Sequence, residues 1–282
     1  MNKNILKLEG RSGCQLEFVK NDSGLIIRKY SSNDDYNKRL EKQWNKQEAF
    51  TTLSNFFAPK VLNKNNQGVR YWFDMEYVSG DKYSGYFTQI SKNRIDEIIA
   101  NFRHYFKTNI HHAQLISAPI ELFQEKTESL MHTIEHKVSM NAHVKINLKN
   151  YLQQIPTAPF YIGKCHGDFT LSNMLFLKDH RICVFDLLDS FVESPLIDWV
   201  KLKQDTCFHW SMHIENETLA HNTKLVQVLS YINNQLNSYF KDDVIITAWE
   251  PYLTVLNLAR ILPYAKDERD LTYLTKHLTK LI

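Results

Sequence analysis

All eight glycines of this 282-residue chain lie at or before position 167. Eight is far below the roughly 7 per cent of an average protein, so their placing carries information. Glycine is favoured where a backbone turns with positive φ or passes close to a ligand. From Asp168 to Ile282 there is none, which fits helices joined by few tight turns. This placing fits a turn-rich first part and a helical last part.

Side-chain periodicity agrees. Leu16-Glu17-Phe18-Val19-Lys20 alternates, Asn21-Asp22-Ser23-Gly24 is a turn signal, and Leu25–Tyr30 reads as the returning strand. Tyr36, Leu40 and Trp44 recur every fourth residue and predict a helix over 35–54. Lys60-Val61-Leu62 and residues 69–78 form a second hairpin, turned at Asn65-Asn66-Gln67-Gly68. Ser79-Gly80-Asp81 looks like a junction. Beyond it Ile95, Ile98, Ile99, Phe102 and Phe106 share a helical face. Two short strands are expected at about 174–178 and 181–186. Ser194 and Pro195 then read as N-cap and first position of a helix. Further helices carry Leu225 to Leu236, residues 245–262, and Leu271 to Leu281. The expected domains are 1–80, rich in strands, and 81–282, mostly helical.

One segment carries chemistry: Cys165-His166-Gly167-Asp168-Phe169-Thr170-Leu171-Ser172-Asn173. Here an Asp stands five residues before an Asn in a polar turn. An Asp-Asn pair alone also fits an ordinary capped turn. A second Asp, Asp186, ends the apolar run Cys183-Val184-Phe185 thirteen residues after Asn173. Phosphoryl transfer from a nucleotide needs such a set: a carboxylate to take the proton of an acceptor hydroxyl, and an amide oxygen with a second carboxylate to hold magnesium.

The pattern H-G-D-x-x-x-x-N followed by a hydrophobic-Asp strand resembles the aminoglycoside phosphotransferase and choline kinase superfamily, small-molecule kinases with a protein-kinase-like fold. The resemblance implies an α+β two-lobe fold. Its N-lobe is a small antiparallel sheet with one main helix, and its C-lobe is larger and mostly helical. Asp168 would be the catalytic base, with Asn173 and Asp186 as ligands of Mg2+. Gly10, Ser12 and Gly13 resemble the loop that positions the phosphates of ATP, although the full G-x-G-x-x-G of protein kinases is missing. Lys29 and Arg28 compete as the phosphate cation, and the resemblance favours Lys29. Its helix partner would be Glu48, with Glu41 as rival. Residues 73–80 resemble a kinase hinge, with Met75 as gatekeeper and the backbone of Glu76 and Val78 facing adenine. Asp198 would bond backbone near the His-Gly-Asp turn. A Lys-Gln-Glu helix and a Glu-Ser-Pro-Leu-Ile-Asp segment resemble bacterial proteins of surface-polysaccharide synthesis.

The remaining composition narrows the partners. Net charge is +3 with both signs interspersed, so neither nucleic acid nor an anionic membrane is expected. No run of residues is long and apolar enough for a membrane span or a signal peptide. The four cysteines form no C-x-x-C pair, which excludes common zinc and redox motifs and fits a reduced, cytoplasmic location. Between Asp186 and Asp198 there is no A-P-E motif and little room for a peptide-binding activation loop. The expected acceptor is therefore a small molecule with a hydroxyl, a sugar or amino alcohol. Residues 121–150 balance four acids against four lysines, which gives no sign of the acidic cleft a polycationic aminoglycoside would require.

Overall fold

The computed structural model of the protein describes residues 7–9, 14–21, 24–53, 55–65, 70–215 and 222–282, with side chains for all but 7–9 and 21. The expected phosphate loop at Gly10, Ser12 and Gly13 lies outside the described residues, as do Asp22-Ser23 and Asn66-Gln67-Gly68 of the two expected turns.

In chain order the strands are β1 (Lys7–Glu9), β2 (Gln15–Asn21), β3 (Gly24–Tyr30), β4 (Phe56–Phe57), β5 (Val61–Lys64), β6 (Trp72–Glu76), β7 (Asp81–Lys82), β8 (Gln114–Ile116), β9 (Phe160–Ile162), β10 (Met174–Phe176) and β11 (Ile182–Val184). The helices are α1 (Asp34–Glu48), α2 (Tyr83–Gln89), α3 (Lys92–His111), α4 (Ile120–Lys137), α5 (Ala142–Leu152), α6 (Pro195–Thr206), α7 (Trp210–Glu215), α8 (Thr223–Phe240), α9 (Val244–Ala259) and α10 (Glu268–Leu281). The chain is thus α+β, with its strands concentrated early and its helices late. It divides into two compact units: Met1–Tyr83 with Asn173–Asp189, and Ser84–Ser172 with Ser190–Ile282.

In the first unit, β1-β2-β3-β6-β5 form an antiparallel sheet. Helix α1 begins at Asn33, whose side chain accepts from the Tyr36 amide, and carries Asp34 and Asp35 in its first turn, where acids suit the helix dipole. Leu40, Gln43, Trp44 and Gln47 make its buried stripe. Leu40 and Trp44 pack with Phe73 and Met75 of β6 and with Cys14. The helix stops at Glu48, six residues short of the expected end. The chain turns there because Phe56, fully buried, must enter β4.

A second sheet, ordered β4-β11-β10-β7, belongs to the same unit. Its β10–β11 hairpin was expected, but its neighbours were not. β7 pairs antiparallel with β10, and β4 pairs parallel with β11. Gly80 sits where this sheet leaves no room: a Cβ there would lie 3.0 Å from the Cβ of Leu175.

The second unit is built on helices. The expected stripe of α3 (Ile95, Ile98, Ile99, Phe102 and Phe106) is buried. Phe169 stacks on Tyr105 with ring centroids 4.3 Å apart and meets Phe102 and Phe106 edge to face. Helix α6 starts as expected, with Ser194 Oγ accepting from the Leu196 amide and Pro195 in the first turn. It is buried on nearly every side, including Asp198, Lys203, Gln204 and Asp205. Trp199, Trp210, Trp249 and Tyr252 are buried packing residues. Among the described residues no helix is long and apolar enough to cross a membrane.

Candidate active site

In the first unit the alternation of β3 decides what its two cations do. Ile27 packs against the core shared with α1. Lys29, two residues on, points the same way and is 2% exposed. Its Nζ donates to Gln43 Oε1 at 2.9 Å and to Asp186 Oδ1 at 2.5 Å. Burial works against the ammonium's charge, but Asp186 outweighs it and holds the Lys29 pKa above its ordinary value. Arg28, on the other face, is committed elsewhere. Its guanidinium bonds both carboxylate oxygens of Asp74, its cross-strand neighbour, at 2.6 and 2.9 Å, and lies 3.8 Å over the Trp72 ring.

The helix partner of Lys29 differs from the one expected. Glu48 and Glu41 are both exposed. The stripe that faces β3 runs through residues 40, 43, 44 and 47, so positions 41 and 48 rotate away from it. Gln43 faces Lys29 instead. A neutral amide there leaves the lysine's charge to be balanced by Asp186.

Asn173 and Asp186 are brought together by the β10–β11 hairpin. Met174 pairs with Val184, and just beyond that pair the Phe185 amide donates to the Asn173 carbonyl at 3.1 Å. The thirteen-residue separation in sequence is therefore a short step across one ladder. Asp186 has φ +60°, a left-handed backbone that Asp tolerates better than most residues. The turn re-aims its carboxylate, which is held by Lys29 at one oxygen and remains 38% exposed. Two hard oxygen donors, one charged, suit magnesium, which takes one or two protein oxygens and completes its shell with water and phosphate. Among the described residues no cluster of three His, Cys, Asp or Glu could hold a metal, so a metal here would depend on the Asn oxygen and on nucleotide phosphates. Asp189 pairs with Lys42 at 2.9 Å in the same unit.

The hinge-like strand is placed less simply. Met75 is buried, and Gln47 Nε2 approaches its sulfur at 3.6 Å. The Glu76 amide already donates to the Lys60 carbonyl at 2.8 Å, so the expected role of that N–H towards adenine is taken by β-sheet pairing. Val78 lies past the end of β6 and is half-buried.

In the second unit, residues 166–171 are gripped by α6. Asp198 is fully buried and accepts from the amides of His166 (2.6 Å) and Gly167 (2.8 Å) and from the Tyr105 hydroxyl (2.7 Å). This is the backbone contact that the resemblance assigned to it. Burial, then the Asp198 charge, push the Tyr105 pKa well above its ordinary value, so its hydroxyl stays a donor. Gly167 has φ +86°, which a side chain would oppose. The turn presents Asp168, whose own amide donates to His166 Nδ1 at 3.3 Å. Its carboxylate meets Lys201 Nζ at 3.0 Å. The far end of the loop is held by Asp205, which accepts from Leu171 N at 2.7 Å and Ser211 N at 3.0 Å.

Lys201 and Asp205 escaped the sequence reading because charges in a helix usually face solvent. Their spacing from Asp198, three and seven residues on, is the signal that would have found them, since such positions share one helical face.

Asp205 gives a pH test. Burial lifts its pKa from 3.8 to about 6, against the two amides that lower it. A carboxyl raised in the folded state contributes stability that is full below its unfolded pKa and is lost as pH rises through the folded one. A shift of about two units is worth about 3 kcal/mol. Urea unfolding of the wild type and Asp205→Asn should therefore differ by a gap that moves in the variant's favour by about that amount between pH 4 and pH 7. A gap that does not change with pH would reject burial as the cause.

No family model matches the chain, and no curated protein matches its sequence. Solved structures do match its fold. The GDP and kanamycin complex of APH(2")-IIia is 11% identical, covers 100% of this chain and 93% of that one, and has a TM-score of 0.67. The streptomycin-ATP ternary complex of APH(2")-IIa is 14% identical, with 99% and 92% covered and a TM-score of 0.59. A protein named as a fructosamine-3-kinase from Haemophilus somnus 129PT is 10% identical, with 99% and 91% covered and a TM-score of 0.57. The chain has the fold of these kinase-like small-molecule phosphotransferases, as its His-Gly-Asp segment led one to expect.

Proposed function

We propose that the protein is an ATP- and Mg2+-dependent phosphotransferase acting on a hydroxyl of a small molecule, a sugar or an amino alcohol. The observation that carries this reading is the ion pair between buried Lys29 and the partly exposed carboxylate of Asp186, across the hairpin from Asn173. It sets a lysine withdrawn from water beside the carboxylate expected to bind the metal, the two charged groups that phosphoryl transfer brings to the nucleotide phosphates.

Each residue has a role in this reading. Lys29 binds nucleotide phosphate oxygens. Asn173 and Asp186 hold magnesium, which supplies charge neutralisation at the phosphates. Asp168 orients the acceptor hydroxyl and takes its proton, while Asp198 and Asp205 keep its loop in shape. Met75 lines the base pocket, and Val78 offers backbone past the last β6 pair. An ATP donor and four cysteines that form no disulfide fit action in the cytoplasm. The short path from Asp186 to the α6 cap at Ser194 favours a small acceptor over a peptide.

Magnesium-dependent consumption of ATP and GTP across a panel of sugars, amino alcohols and aminoglycosides tests the reading. Turnover with a sugar or amino alcohol supports it. Turnover confined to aminoglycosides makes the protein an antibiotic kinase. Nucleotide binding without turnover on any acceptor makes it a nucleotide-binding scaffold.

The Lys29 geometry gives a sharper check. Lys29→Met keeps bulk but removes a charge-assisted contact worth about 1.5–3 kcal/mol, so nucleotide affinity should fall roughly 10- to 100-fold. Glu48→Gln, at an exposed position, should leave it unchanged. Isothermal titration with a non-hydrolysable ATP analogue measures both, and equal losses would contradict the pairing.

A further inference from the structure

The loop between Asp168 and Asn173 reads Phe-Thr-Leu-Ser and carries no positive charge. A positive charge reaches Asp168 from another element. Lys201 of α6 places Nζ 3.0 Å from Asp168 Oδ1, with its side chain only 14% exposed. Its second contact is Gln204 Oε1 at 3.4 Å, an oxygen that also accepts from Asn257 Nδ2 at 3.1 Å. On the same helix, Asp198 holds the loop at His166 and Gly167, and Asp205 holds it at Leu171. One face of one buried helix thus fixes the loop's two ends and its carboxylate.

Resting on the phosphotransferase reading, we propose that Lys201 is a positioning residue for the transfer. It holds the Asp168 carboxylate in one orientation and provides, from α6, the positive charge that the loop sequence lacks. In the step itself the acceptor O–H proton passes to the Asp168 carboxylate. The new O–P bond forms as the bond from the γ-phosphorus to the β,γ-bridging oxygen breaks, and the nucleoside diphosphate leaves with that electron pair. Lys201 takes no part in the proton transfer. Its contribution is geometric and electrostatic, and a misplacement of the base by about 1 Å costs up to about 100-fold.

The test uses the full chain with Mg-ATP, measured with the panel acceptor that turns over fastest and as hydrolysis to water. Lys201→Met should lower kcat about 10- to 100-fold with the KM for ATP nearly unchanged. Lys201→Arg, which retains the charge, should recover most of the loss. Because Lys201 acts through Asp168, Lys201→Met should cost nothing further in an Asp168→Asn background. If Lys201→Met does not fold, Lys201→Gln replaces it in the same cycle. Unchanged kcat in the folded single variant overturns the inference, and so does a full additional loss in the Asp168→Asn background. Full activity in Asp168→Asn alone, or no turnover in the wild type, overturns the phosphotransferase reading and this inference with it.

Discussion

Asp168→Asn should bind nucleotide as the wild type does and turn over about 10²–10⁴-fold more slowly, the usual contribution of a positioned general base. Asn has the size of Asp, so the loop is kept. The Asp198 and Asp205 anchors bond to backbone amides that the change does not touch. What disappears is the basic oxygen and the ion pair to Lys201. Steady-state kinetics with Mg-ATP and an active acceptor, beside calorimetric nucleotide binding, separates the two effects. Unchanged turnover would remove Asp168 from the chemistry.

The largest effect on folding is expected at a residue that touches no substrate. Asp198 is fully buried, and three donors converge on its two oxygens. Asp198→Ala leaves the amides of His166 and Gly167 and the Tyr105 hydroxyl without that acceptor. A stranded buried donor costs about 1–3 kcal/mol, and part of the total returns because a buried charge is also removed. A net loss of about 3 kcal/mol follows. Asp198→Asn should lose nearly as much, because its NH2 would face one of the donors. Urea unfolding measures both, and a loss below about 1 kcal/mol would mean that the loop finds other acceptors. Activity should also fall at temperatures where the variants remain folded, since the Gly167 turn that presents Asp168 depends on these bonds.

Much of this site could be read along the chain because its parts are local. His166 to Asn173 is one contiguous segment, and Ser194-Pro195 announces the helix that brings Asp198. The alternation of β3 was visible as well, and choosing between Arg28 and Lys29 needed only the knowledge of which face meets α1. Gln43 was hidden for a different reason. A neutral amide in a charged helix gives no signal, and the expectation of an acid there pointed to Glu48. The short strands β4 and β7 hold two residues each, too few for any alternation to register. Their existence depends on partners more than ninety residues later in the chain, at β11 and β10. Asp186 could be named as a metal ligand from its strand, but its left-handed backbone and its bond to Lys29 are tertiary facts.

That late hairpin has a bearing on how such a gene can be cut and rejoined. The first unit is discontinuous, because Asn173–Asp189 returns to it after the 89 residues Ser84–Ser172 of the other. No single crossover point in the coding sequence separates the two units. A fragment ending at Tyr83 would strip β4 and β7 of the strands that complete their sheet and expose Gly80 where Leu175 had covered it. Exchange of the first unit between relatives would have to carry the hairpin as a second, separate insert. Recombination is thus confined to whole genes or to paired exchanges.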